Sequence, residues 1–220
     1  MNIFYRFVII VYFFSASYGF AQTNSNNDFQ FWTGENKIKK ISDAFSLGLD
    51  SEWRFLNDAK KLSYIHEQLS LIYSPFPWIK IIPSYRQVWE KNIHSKWHPS
   101  YNPLIDITFL GHRKNLEISD RNRIQYSISS NNPNIIIYRN LIKISYIMKK
   151  RNFTFIPYIS DEFFFPENRG YNQNRLSTGL IIKFLDLLSC DLLYRRRFFK
   201  LSNENWIQQN ILGIFFTLYL

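Results

Sequence analysis

Arginine is the residue type whose placement in this 220-residue sequence could do chemistry. Arg54, Arg86, Arg121, Arg123, Arg139, Arg175 and Arg195 fall in stretches rich in alternating polar residues. Glu52, Glu67, Asp106, Glu162 and Asp191 fall in similar stretches and are their candidate partners. On one face of neighbouring strands these groups would form a charged ladder. If each cation is paired, the ladder fills and closes a narrow interior, because an unpaired buried ion is costly. If cations are in excess, the same ladder lines a narrow passage that favours anions.

Hydrolytic chemistry would need a serine nucleophile, a histidine base and a group to orient the base. The histidines are His66, His94, His98 and His112, and only His66 lies within a clear strand pattern. No nucleophile-elbow motif occurs and no Ser–His spacing stands out. His94 and His98 are four apart, as helical metal ligands can be, but they sit in a Lys/Trp/Pro loop with no third ligand nearby. The expectation is a non-enzymatic protein with no catalytic residues, cofactor or metal; a lipid hydrolase is the alternative.

The elements that must position the arginines are strands. In "FSLGLDSEWRF", Phe45, Leu47, Leu49, Trp53 and Phe55 share one face, while Ser46, Gly48, Asp50, Glu52 and Arg54 share the other. A strand separates these sets; a helix would scatter them. In "DRNRIQYSIS", Arg121, Arg123, Gln125 and Ser127 alternate with Asn122, Ile124, Tyr126 and Ile128. In "NRLSTGLIIKF", Arg175, Ser177, Gly179 and Lys183 oppose Leu176, Thr178, Leu180, Ile182 and Phe184. Further strands are expected at Asp28–Glu35, Leu62–Tyr73, Trp78–Trp89, Leu104–Leu110, Ile135–Met148, Phe153–Phe165, Cys190–Phe199 and Trp206–Leu220, separated by turn-like stretches.

Strand length and composition point to a membrane barrel. Many stretches exceed the ~5–6 residues of globular strands and match the ~9–11 that cross a bilayer with tilt. Aromatic residues make up 19% of the chain, yet mean hydropathy is only −0.24. Alternation reconciles the two, with an apolar face for lipid and a polar face for a lumen. Tyr73, Trp78, Trp89, Trp97, Tyr101, Tyr171 and Trp206 lie near strand ends, where interfacial girdles sit. A soluble periplasmic β-sandwich is the alternative, since it too has one polar face per strand.

The N-terminus reads as a secretory signal peptide. Arg6 is its positive region, Phe7–Phe14 its apolar run, and Gly19 and Ala21 precede cleavage before Gln22. The formal charge is +10, or +9 once Arg6 leaves. Nucleic acid is not the expected partner, because an exported chain rarely meets it and the arginines alternate instead of clustering. Anionic lipopolysaccharide and outer-membrane lipid are better ones. The single cysteine, Cys190, rules out an intrachain disulfide and reads as a small apolar strand residue. The apolar ending "ILGIFFTLYL" is too short for a membrane helix. It resembles the C-terminal signal that the barrel-assembly machinery recognises, with Leu220 in place of the usual Phe.

The motif order "DFQFWTG", "SEWRF", "DRNRIQYS", "YRNLIKISY", "PYISDEFFF", "NQNRLSTGL" resembles the DUF2490 family of Gram-negative envelope proteins, across nearly the whole mature chain. The resemblance implies an outer-membrane β-barrel and no established activity. Glu162 and Arg175 belong to its most specific segment, Pro157–Leu180, and are the foremost expected cross-strand pair. The sequence thus predicts residues 1–21 as signal, 22–42 as a plug or first strand, and 43–220 as an antiparallel up-and-down transmembrane barrel of ten or twelve strands. Its expected role is structural, or that of a narrow channel with an Arg/Glu-lined lumen.

Overall fold

In the computed structural model, which describes residues 28–92, 95–129, 133–201 and 205–220, the alternating stretches form one sheet that closes on itself. The signal region and His94 lie outside the described residues. The strands are β1 (Phe29–Lys40), β2 (Phe45–Leu56), β3 (Lys61–Phe76), β4 (Ile79–Lys91), β5 (Trp97–Arg113), β6 (Leu116–Ser129), β7 (Ile135–Tyr146), β8 (Met148–Lys150), β9 (Phe153–Pro166), β10 (Gln173–Phe184), β11 (Leu188–Lys200) and β12 (Trp206–Tyr219). The three-residue β8 continues the line of β7 against the same neighbour, β9, so the barrel has eleven staves.

All neighbours are antiparallel except at one seam, where β1 runs parallel to β12 with Thr33 opposite Ile214. An odd number of alternating staves leaves the first and last pointing the same way. The expected antiparallel closure is corrected there, and the count falls between the ten and twelve expected. Within the segment left open as plug or first strand, Phe29–Lys40 is a strand. It runs on to Lys40 and pairs with both β2 and β12. The sandwich alternative is not formed, since the described strands make one closed sheet and no second layer.

Side chains sort by parity. On β3, Tyr64, His66, Gln68 and Ser70 are buried, whereas Leu69 and Leu71 are exposed. On β6, Arg123 is 4% exposed and its neighbour Ile124 is 55% exposed. The apolar face is turned out and the charged face in, the reverse of a water-soluble fold. Connections at the end holding the C-terminus are two to four residues long and those at the other end four to six. Aromatic contacts mark both ends: Phe45 stacked on Tyr73 and Phe76 on Trp78 at the first, Phe165 and Trp206 tilted against Tyr171 at the second.

Strand β5 is longer than the expected Leu104–Leu110, reaching back to Trp97 and on to Arg113. Pro99 and Pro103 signal a loop in sequence. The β4 ladder nevertheless runs from Lys91 opposite Trp97 to Ile79 opposite Phe109. At the seam, a Cβ on Gly34 would strike the Ser51 carbonyl, and one on Gly213 would lie 2.8 Å from the Phe215 ring and 2.9 Å from Leu193. Trp32 lies opposite Gly213 in register, is 1% exposed and turns into the lumen.

Candidate functional site: an arginine-rich lumen

Eight staves give an interior that side chains just fill, and sixteen leave an open channel. Eleven therefore need long side chains to fill the centre, and the inward arginines have the length. They gather around a central carboxylate. Glu162 on β9 accepts from Arg121 Nη2 of β6 (2.5 Å) and from Arg139 Nη2 and Nε of β7 (2.6 and 3.1 Å). Arg175 on β10, directly opposite Glu162 in register, brings Nη1 to 3.6 Å from its other oxygen. Beside this hub, Arg123 grips Asp106 with a two-pronged pair, both bonds 2.6 Å. Such forks are the strongest form of this contact.

A second group surrounds Trp32. Arg54 pairs with Glu52 and lies between two rings, 3.9 Å from the centroid of Trp32 and 3.8 Å from that of Tyr64. Arg175 and Arg195 approach the same Trp32 ring at 5.2 and 5.3 Å. Ring faces attract cations, most strongly where water is excluded. Trp32 thus holds three guanidinium groups near one another with its indole N–H tied to Gln30 (2.9 Å).

The remaining cations have weaker partners. Arg86 donates twice to Gln68 Oε1 (2.9 and 2.6 Å), Arg195 to Ser177 Oγ (2.8 Å), and Arg197 to Gln173 and Gln209. All of these acceptors are neutral. Asp191 accepts from the Tyr158 hydroxyl (3.0 and 3.1 Å), whose ring carries Lys143 Nζ at 4.2 Å. Between these groups lies a cavity of about 310 Å³.

Of the expected site residues, the structure brings Glu52, Arg54, Arg86, Asp106, Arg121, Arg123, Arg139, Glu162, Arg175, Asp191 and Arg195 to the inward face. Glu67 is the correction. It shares the outer face with Leu69 and Leu71 and accepts from Ser51 (2.5 Å). Parity already pairs position 67 with 69 and 71, so the signal was present. Sequence reading missed Trp32, Tyr64, Lys143 and Tyr158 as lumen residues. Trp32 was visible in "FQFWTG", where it alternates with Phe31.

Three of the four histidines, His66, His98 and His112, are among the described residues. A carboxylate only accepts, so His66 Nε2 donates to Asp50 (2.6 Å) and Nδ1 accepts from Tyr64 (3.1 Å). Both ring nitrogens are engaged, and neither partner is a serine. His98 meets Asn92 Nδ2 at 2.8 Å, and His112 lies 3.5 Å from Glu117 on the exposed rim. Cys190 lies on β11 between Ile182 and Phe216 of the adjacent strands.

Among solved structures, the fold is similar to LpxR from Salmonella typhimurium, with a TM-score of 0.52 and 6% identity over 79% of this chain and 83% of that one. At that identity the likeness concerns the fold alone. No curated protein matches the sequence. The model of a family described as protein of unknown function, DUF2490, matches residues 29–208, most of the chain from the first strand to the last. The chain belongs to the DUF2490 family.

Proposed function

We propose that this protein is an outer-membrane β-barrel whose arginine-lined lumen is a narrow passage for small anions, and that it catalyses no reaction. The observation that carries this is the inverted placement of side chains. Large apolar residues on the outer face of nearly every strand are exposed, while charged residues are buried inside. A surrounding of lipid makes that arrangement favourable: apolar side chains meet acyl chains, and a closed sheet leaves no backbone group unpaired where water is absent. Lys and Arg at the rims meet anionic lipopolysaccharide, and the closing strand β12 is the segment that assembly machinery reads. The leader, cleaved after Ala21, delivers the chain for export.

Fractionation followed by gel electrophoresis tests this. The protein should pellet with outer membranes and migrate differently unheated and boiled. Reconstituted in planar bilayers, it should pass chloride in preference to potassium. Soluble periplasmic protein with no heat shift would overturn the barrel, and cation preference would overturn the reading of the lumen.

A further inference from the structure

We propose that the lumen cavity is a binding site for a multiply charged oxyanion of the phosphate class: phosphate, pyrophosphate or a small phosphomonoester. This rests on the barrel reading above and adds a specific ligand site to it.

The first observation is charge. Eight cationic side chains line the cavity, seven of them arginines and the eighth Lys143, against the four carboxylates of Asp50, Glu52, Glu162 and Asp191. The surplus is four positive charges, or three when Asp106, paired with Arg123, is included. A surplus of that size in a low-dielectric interior is costly unless an anion enters.

The second observation is orphaned donors. The Nε atoms of Arg121 and Arg175 are buried with no hydrogen-bond partner among the described residues, and Arg175 is 8% exposed. Buried donors without acceptors are rare and call for an explanation. Arg86 and Arg195 line the same cavity with only neutral acceptors at their guanidinium groups. Planar guanidinium forks match the oxygens of phosphate.

Size and access complete the argument. About 310 Å³ lies at the small end of ligand pockets, enough for a phosphorylated small solute and too little for a lipid. The wall is a continuous ladder, so an acyl chain has no lateral way in. The phosphate must therefore arrive from water through an end of the barrel.

The test uses the full chain folded in detergent, with calorimetric titration by pyrophosphate and potassium chloride at matched ionic strength as control. Pyrophosphate should bind, and Arg195→Gln should weaken it by about tenfold or more, the worth of one charge-assisted contact. Glu162→Gln supplies the second arm. It removes the internal anion, so its heat-modifiable form should melt at lower temperature, and pyrophosphate should restore the melting point while chloride does not. A structural network with no ligand site predicts the same loss with no rescue. A folded, heat-modifiable barrel that ignores pyrophosphate overturns the site and leaves the barrel intact, whereas a chain without heat-modifiability overturns the barrel itself. Stabilisation seen only in vesicles containing phosphatidic acid overturns the water-borne source.

Discussion

At the scale of single residues, the lumen is a set of unequal bargains between charge and burial. Glu162 serves three arginines, so replacing it with Gln strands all three in an interior that screens them poorly. Breaking a buried pair costs about 3–5 kcal/mol, and Glu162→Gln should lose about that much in urea unfolding with no ligand present. Asp106→Asn should behave likewise, because it leaves Arg123 buried and unpaired. The paired exchange Asp106→Leu with Arg123→Met should lie within about 1–2 kcal/mol of the parent, since removing both charges also removes their desolvation cost. A double replacement as damaging as the single one would mean that Arg123 is held chiefly by other groups. The Glu162–Arg175 pairing was legible because both residues lie in Pro157–Leu180, the segment that most resembles the family, and the two are direct cross-strand partners. The sequence did not reveal that Arg121 and Arg139 reach the same carboxylate. That convergence depends on barrel curvature, which brings β6, β7 and β10 around β9, and no local pattern encodes it.

At the scale of strands, periodicity exposes most staves and conceals their closure. Period-two alternation identifies β2, β6 and β10 directly, since each carries outward-facing and lumen-facing residues in turn. It fails at β5, where two prolines suggest a loop within a working strand. It also leaves the stave number open, because pairing between β1 and β12 spans the length of the chain. The seam can be tested by crosslinking. Thr33 and Ile214 are direct parallel partners on the outer face. Their Cα atoms should lie within the ~4.4–6.8 Å that a disulfide spans. In a Cys190→Ala background, Thr33→Cys with Ile214→Cys should oxidise to a crosslinked product visible on a non-reducing gel. A twelfth stave between β1 and β12 would separate the two positions by about two strand spacings, near 10 Å, and no crosslink would form. Gly179 tests packing within one element. A Cβ there would lie 2.6 Å from the Tyr158 ring and 2.8 Å from the Leu192 carbonyl. Gly179→Ala should therefore cost about 1–3 kcal/mol through overpacking, read as a lower urea midpoint.

At the scale of the whole molecule, the question is which medium meets the outer face. On β6, Ile124 is more than half exposed and lies well inside the strand, eight residues from Leu116 and five from Ser129, flanked on its own face by Asn122 and Tyr126. In water an exposed isoleucine can become arginine at little cost, within about 0.5 kcal/mol. Midway across a bilayer the same change costs about 2–4 kcal/mol, because the guanidinium must shed its hydration or pull water and head groups inward. Ile124→Arg, folded into lipid vesicles and unfolded in urea, should lose an amount in the second range. The same substitution at Ile118, nearer the short-turn end of β6, should lose less, because a long side chain there can reach the head groups. A flat response at both positions would mean that the outer face meets water. The exposed leucines and isoleucines would then need a protein partner, and the arginine-rich interior would be the core of a soluble barrel. A graded response, greatest at Ile124, locates the hydrocarbon midplane on β6. The lumen cavity would then lie within the membrane's span, where only a charged ligand can relieve its surplus of cations.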